Sequence, residues 1–294
     1  MIDFMGKWKI WFTISGTLLL VGLISFFLQG LNLGIDFTGG TLLDLRFEKA
    51  PGTAEIRSVL NDFGLEKSVI QQSGAEGKDV LIRTVALSNE ERVKLTGALG
   101  QKLGKVEVLR AEDVQPVIGR ELTRLAVIAS AIAVVGMIIY ITLRFEFKFA
   151  MAGILALIHD VGITIGLVSL LRAEVGAPFV AAILTILGYS INDTIVIFDR
   201  TRELLRNRRK GESLAALSNR SVNQTLTRSI YTVSTTLFTV LAILIFGGKT
   251  IQDFALTLFI GITLGAYSSI FIASPLWLLW KEKEERAKKA AARA

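Results

Sequence analysis

Residues Pro178–Phe198 read PFVAAILTILGYSINDTIVIF. A membrane crossing needs about 20 apolar residues, because ~30 Å of hydrocarbon is climbed at 1.5 Å per residue. This stretch has that length, yet it holds Tyr189, Ser190, Asn192 and Asp193. An aspartate at mid-depth costs roughly 2.5–3.5 kcal/mol on insertion scales. Such a residue is kept when it lines a bundle interior or a water path. The stretch therefore reads as one span of a multi-helix membrane domain.

Working outward, five more stretches pass the same test: about Ile10–Leu28, Leu122–Leu143, Phe149–Leu171, Ile230–Phe246 and Phe254–Trp280. A soluble alternative would need six helices that are apolar all round. The first stretch is longer than a signal-peptide core, and no small-x-small cleavage site follows it, so it reads as a span. The whole chain agrees: 294 residues, 51% hydrophobic, mean hydropathy +0.53. Zero Cys removes disulfide frameworks, thiolate metal sites, iron–sulfur clusters and cysteine nucleophiles, and the single His argues against a His-rich centre. No metal and no cofactor is expected.

Lys and Arg near the span ends set the orientation. Lys7 and Lys9 precede span one, and Arg144 and Lys148 lie between spans two and three. Segment 199–229, between spans four and five, carries Arg200, Arg202, Arg206, Arg208, Arg209, Lys210, Arg220 and Arg228. The tail adds Lys281, Lys283, Arg286, Lys288, Lys289 and Arg293. The opposite short loops hold only Arg172 and Lys249. Both termini are expected in the cytoplasm. The net charge of +7 is then a topology signal. It leaves weak attraction to anionic membrane lipid and makes nucleic acid an unexpected partner.

The expected organisation is 1–29 (N-terminus and span one), 30–121 (external α+β domain), 122–280 (spans two to six) and 281–294 (basic tail). Within the external part, Thr41–Glu48 alternates like a strand, and Thr53–Phe63 has helical spacing before Gly64. Lys67–Gln72 and Asp79–Leu87 read as strands around a Ser73–Lys78 turn. Ser88-x-x-Glu91 is a capping box opening a helix to about Leu103, which Gly104 ends. Lys105–Arg110 reads as the last strand. The order βαββαβ is ferredoxin-like. The fold class is thus a polytopic α-helical membrane protein: six transmembrane helices plus a small βαββαβ domain between helices one and two. Ahead of the first strand stands Gly34-Ile35-Asp36-Phe37-Thr38-Gly39-Gly40, which reads as a helix stop and a turn. Gly34 and the Gly39–Gly40 pair permit backbone angles that other residues resist.

Counting from Phe149 puts His159-Asp160 ~15 Å into span three, and Asp193 lies ~7–8 Å inside the cytoplasmic end of span four. Thr185, Tyr189 and Asn192/Asp193 share a helical face. Arg228, Thr232, Thr235 and Thr239 form a polar stripe in span five, and depth alone permits an Asp193–Arg228 contact. Each residue also has a plain role: Arg228 as a snorkelling anchor, Asp193 as a hydrogen bonder to a neighbouring helix, His159 as a neutral donor between helices, Asp160 as its orienter. Gly261-x-x-x-Gly265 fits close helix packing. The functional reading is a proton relay. A carboxylate subject to both desolvation and a nearby guanidinium can exchange a proton as helices shift. One charge crossing the full potential is worth about 2.3 kcal/mol per 100 mV.

Gly34–Gly40 (GIDFTGG), His159-Asp160, Gly188–Glu203 (GYSINDTIVIFDRTRE) and Asn223–Arg228 (NQTLTR) together resemble the SecF family, over nearly the whole chain. SecF is the smaller membrane subunit of the bacterial SecD/SecF export complex, kin to the resistance–nodulation–division exporters. The resemblance implies an inner-membrane subunit, not an enzyme. It would pair with a SecD-like subunit and the SecYEG channel and use the proton gradient to draw unfolded preprotein outward. It implies that Asp193 and Arg228 lie on the proton path, with Asn192, Asp160 and His159 as further relay residues. Gly34, Asp36, Gly39, Gly40 and Gly188 are carried over as family-motif positions. Protons are the implied coupling ion, although a carboxylate also serves sodium. The larger substrate-gripping domain belongs to SecD.

Three other readings compete. An intramembrane aspartyl protease would use Asp160 and Asp193, but their depths differ and Ser190-Ile191-Asn192-Asp193 stands where a Gly-x-Gly-Asp string belongs. Half of a proton-driven exporter of small molecules or lipids is the main alternative, and a passive assembly scaffold is the third.

Overall fold

The computed structural model describes residues 2–73 and 76–291. The middle of the Ser73–Lys78 turn and Arg293 of the tail lie outside the described residues. The chain divides into two compact units, one of residues 1–32 with 129–294 and one of residues 33–128.

Residues 33–128 hold the small α+β unit. GIDFTGG does not simply stop a helix; it forms a single helical turn of its own, α2 (Ile35–Thr38). The Gly34 carbonyl accepts from the backbone N–H of Phe37 and Thr38, both at 3.1 Å, and the Gly39 N–H donates to the Ile35 carbonyl at 2.8 Å. Gly39 (φ +70°) and Gly40 (φ +127°) use the positive-φ freedom expected of them, and a Cβ at Gly40 would run into the Thr84 carbonyl. Gly34 sits at φ −75° and does not use that freedom.

The chain then runs β1 (Gly40–Phe47), α3 (Thr53–Asp62), β2 (Val69–Ser73), β3 (Asp79–Thr84), α4 (Asn89–Leu103) and β4 (Val106–Val114). The sheet order is β2-β3-β1-β4, every neighbouring pair antiparallel. This is the split-βαβ arrangement that the element order implied. Leu43, Leu45 and Phe47 alternate inward and pack with Ile56, Leu60, Leu95 and Leu99. The Ser88 capping box is formed: Ser88 Oγ accepts from the Glu91 N–H at 3.3 Å, and the Glu91 carboxylate accepts from the Ser88 N–H at 2.8 Å. The Ser88 N–H, with the Ser88 hydroxyl donating at 2.8 Å, holds the Glu91 carboxyl below its usual range. β4 outlasts the expected Lys105–Arg110 because Glu112, Asp113 and Val114 still pair with Leu42, Thr41 and Gly40.

The apolar helices are α1 (Trp8–Gln29), α5 (Pro116–Arg144), α6 (Phe147–Leu171), α7 (Ala177–Arg206), α8 (Leu214–Phe246), α9 (Lys249–Ser268) and α10 (Ser274–Ala291). A π turn, Ser269–Ala273, joins the last two into one run. Among the described residues six helical runs are long and apolar enough to cross a membrane. α8 begins 16 residues before the expected Ile230, because Ser213 caps it by accepting from the Ala216 N–H at 3.1 Å. Much of segment 199–229 is therefore helical, with a short turn from 207 to 213.

Small residues let the helices of this unit approach. A Cβ on Gly22 of α1 would stand 2.9 Å from the Gly166 Cα of α6. Gly265 meets the Ser190 backbone of α7 equally closely, and Gly261 faces Ile186. The expected close-packing role of Gly261-x-x-x-Gly265 is thus met by α7. At one end of the bundle Trp277 stacks on Phe149 at 4.8 Å, and Phe198 closes against Phe149 at 4.9 Å. Many cations read as topology signals are also paired: Arg208 with Glu285 at 2.9 Å, Arg220 with Glu212 at 2.8 Å, Arg144 with Asp199 at 3.3 Å and Lys148 with Glu284.

Candidate functional site

Two buried carboxylates lie among α6, α7, α8 and α9. Asp160 of α6 has no solvent exposure. Its Oδ2 accepts from Ser190 Oγ of α7 and from Ser268 Oγ of α9, both at 2.6 Å. Its Oδ1 is 2.8 Å from His159 Nδ1. One side chain thus ties three helices together. The His159 ring lies parallel to Tyr267, centroids 6.4 Å apart, and its Nε2 is buried with no hydrogen-bond partner. Tyr267 in turn donates to the Trp11 carbonyl of α1 at 3.0 Å and accepts from Ser15 Oγ at 3.2 Å.

Ser268 is the last residue before the π turn. Within that turn Ser269 Oγ lies 2.8 Å from Thr194 Oγ1 and donates to the Gly265 carbonyl at 2.9 Å. Ser274 Oγ donates to the Ser269 carbonyl at 2.8 Å.

Asp193 sits less than one helical turn beyond Ser190 on α7, with 5% exposure. With Tyr189, Asn192, Thr232, Val233, Ile262 and Ala266 it lines a cavity of about 10 Å³, near the least space that holds a single water. Ser229 of α8 faces it, but the Ser229 hydroxyl is buried without a hydrogen bond of good geometry. Arg228 lies within electrostatic reach of Asp193 and is itself exposed. The Asp193–Arg228 pairing that depth permits is not formed: no N–O distance falls within 4 Å. α8 carries Ser229 toward α7 and leaves Arg228 on the outer side.

The relay residues read from the sequence therefore fall into two groups. Asp193 and Asn192 share the small cavity, with Arg228 nearby. Asp160 and His159 form a separate, hydrogen-bonded cluster. Ser190 stands out in the sequence only as a polar residue of its span, and Ser268 not at all, since a serine in an apolar helix is ordinary. Nor does Tyr267, within a span that otherwise reads as packing. Of the stripe on α8, Thr232 reaches the cavity, while the Thr235 and Thr239 hydroxyls donate back to their own helix. Gly188 is exposed, with open space where a Cβ would stand. Gly119 of α5 was not singled out, yet a Cβ there would stand 3.0 Å from the Phe37 carbonyl and 3.1 Å from the Gly39 nitrogen. Among the described residues no three His, Asp or Glu side chains converge as metal ligands would.

This geometry coincides with strong likeness to known proteins. The family model "Protein export membrane protein SecD/SecF, C-terminal" matches residues 95–283, and the "SecD/SecF GG Motif" model matches residues 24–51, which include GIDFTGG. Protein translocase subunit SecF of Acidaminococcus fermentans is 46% identical over 95% of this chain and 97% of its own. Protein translocase subunit SecDF of Thermus thermophilus is 42% identical over 98% of this chain, which covers 40% of that protein. A crystal structure of SecDF from Thermus thermophilus, titled a translocon-associated membrane protein, matches at TM-score 0.88 and 40% identity, over 96% of this chain and 39% of that one. This chain thus spans about two fifths of SecDF and nearly the full length of SecF. Six membrane-capable helices, a βαββαβ unit behind a GG motif and these matches have one reading: the chain is a multi-pass membrane protein and belongs to the SecF family of protein translocase subunits.

Proposed function

We propose that the chain is a non-catalytic accessory subunit of the Sec translocase. It pairs with a SecD-like subunit and uses the proton motive force to promote preprotein translocation and release. The carrying observation is Asp193, a buried carboxylate beside a water-sized cavity, with Arg228 on the next helix and no strong hydrogen-bond donor. A carboxylate so weakly held changes partners easily when α7 and α8 move. In that motion it takes a proton from one side of the membrane and gives it up toward the other. Asn192 lines the same cavity, and Ser190 connects the Asp193 turn to Asp160 and His159, the deeper members of the relay.

Support for a second half comes from the fused SecDF relatives, in which a SecF-like region is continuous with SecD. Transporters commonly build their site between two such repeats. We place the chain in the bacterial cytoplasmic membrane with both termini inside, on the strength of its Lys and Arg distribution. The SecYEG channel, unfolded preprotein and surrounding lipid are the partners this role requires. The test is preprotein release from vesicles with proton and sodium gradients imposed separately. The proton gradient is expected to drive release, and Asp193→Asn to abolish it while a SecD-like subunit still copurifies. Release unchanged by that substitution would remove Asp193 from the mechanism, and release that follows sodium alone would replace the ion.

A further inference from the structure

Asn219 and Asn223 are one turn apart on α8, in a region whose charge otherwise dominates its reading. Asparagine is a poor helix-interior residue, because its amide competes for backbone groups. Two in succession on one helix face need another reason, and the chain's own start supplies it. Asn223 Oδ1 accepts from the Ile2 N–H at 2.9 Å, and its Nδ2 donates to the Ile2 carbonyl at 2.9 Å. A single amide thus takes both backbone groups of one residue, as a neighbouring strand would. Asn219 Oδ1 accepts from the N–H groups of Phe4 and Met5, at 2.8 and 3.1 Å, and its Nδ2 donates to Asp3 Oδ1 at 2.7 Å.

The same Asp3 oxygen accepts from the Gly6 N–H at 2.9 Å. Those donations hold the Asp3 carboxyl below its usual range. Phe4 and Met5 are buried beneath, at 6% and 2% exposure. The Phe4 ring lies edge-on to Phe271 of the π turn at 5.6 Å, and Trp11 Nε1 of α1 donates to the Phe4 carbonyl at 3.1 Å.

We propose that Asn219 and Asn223 form a clasp for peptide backbone, which holds Ile2–Met5 against α8 and so fixes where that helix presents Arg228. Arg228 follows Asn223 by five residues, ~7.5 Å along the helix. Both asparagines are positioning residues, and the role of Arg228 rests on the function proposed above. Recognition is mainly through backbone, so the exposed side chain of Ile2 contributes little. The charge of Asp3 matters, because it is the one side chain that the clasp reads.

The test exploits the absence of cysteine from the chain. In the full-length chain, in membranes with its SecD-like partner, Met5→Cys reports the clasp through its rate of maleimide labelling. Asn219→Asp keeps the acceptor for Phe4 and Met5 but sets a second carboxylate against Asp3. Labelling is expected to rise about tenfold, as a lost charge-assisted bond becomes a repulsion. Asp3→Asn combined with Asn219→Asp restores one donor and one carboxylate, and is expected to return labelling to its starting rate. Export without the cysteine should follow the same order: reduced severalfold in the single variant, recovered in the double one. A labelling rate unmoved by Asn219→Asp overturns the clasp. So does a double variant as fast as the single one. Faster labelling with unchanged export overturns the positioning role. If Arg228→Lys leaves export untouched, the relay reading falls, and the clasp then stands or falls on the labelling rates alone.

Discussion

Asp160 and Asp193 are both carboxylates on apolar helices, both shut away from solvent, and Ser190 brings them to adjacent turns of the same bundle. Their surroundings differ sharply. Asp160 receives two serine hydroxyls at 2.6 Å and an imidazole at 2.8 Å. Asp193 faces a small cavity, a serine out of bonding geometry and a guanidinium at longer range. A hydrogen bond to a charged group contributes about 1.5–3 kcal/mol. Any movement at Asp160 must therefore replace several such bonds at once, whereas Asp193 has little to lose. Burial by itself does not fix how firmly a charge is held; the number of partners does.

The largest effect that this contrast predicts is at Asp193. Asp193→Leu should eliminate gradient-driven release while the heat resistance of the detergent-solubilised protein stays within about 1 kcal/mol of the parent, since few bonds are removed. Marked destabilisation would mean that Asp193 is held more firmly than its geometry indicates. Asp160→Leu should do the reverse first: two serine hydroxyls and His159 lose their acceptor, costing about 3 kcal/mol or more in stability. Heat-challenged gel filtration of the two variants side by side checks both.

Ser268→Ala and Ser190→Ala each remove one donor and leave the carboxylate another, so each should cost about 1–2 kcal/mol. Together they should cost more than their sum, because Asp160 is then left with the imidazole alone. Strict additivity would show that the serines pack rather than hold the charge.

The smallest effect belongs to a partly solvated carboxylate in the α+β unit. Arg46 bonds Asp79 at 2.7 Å and keeps its carboxyl below the usual range. The folded form is the more acidic, so the contribution is complete above the ordinary carboxylate pKa of ~3.9. It fades as the pH drops through the lower folded value. Both partners are partly exposed, so Asp79→Asn should cost at most about 1 kcal/mol. Faster hydrogen exchange over Asp79–Thr84 at neutral pH, with the difference gone in acid, is the expected result.

Much of this architecture was legible because its signals are local. Six apolar runs, the alternation of Leu43, Leu45 and Phe47, the Ser88–Glu91 capping box and the Gly39–Gly40 pair each act within one turn or strand. The three-helix junction at Asp160 was not legible. Its donors lie 30 and 108 positions away, and only the packing order of α6, α7 and α9 brings them together. Gly22 and Gly166 escaped for the same reason, as did the amides that read Ile2–Met5 from more than 200 residues away. The Asp193–Arg228 arrangement is a finer matter: depth along a helix permits a contact, but neither rotation nor side-chain direction follows from depth.

The π turn at Ser269–Ala273 works as a phase shifter. Each residue of an α-helix advances the side-chain azimuth by about 100°, so one surplus residue in a turn resets everything that follows. Upstream, Gly261 and Gly265 are aimed at α7; downstream, Trp277 is aimed at Phe149. Excising a single residue there would give a more regular helix whose two ends no longer agree about which way is in.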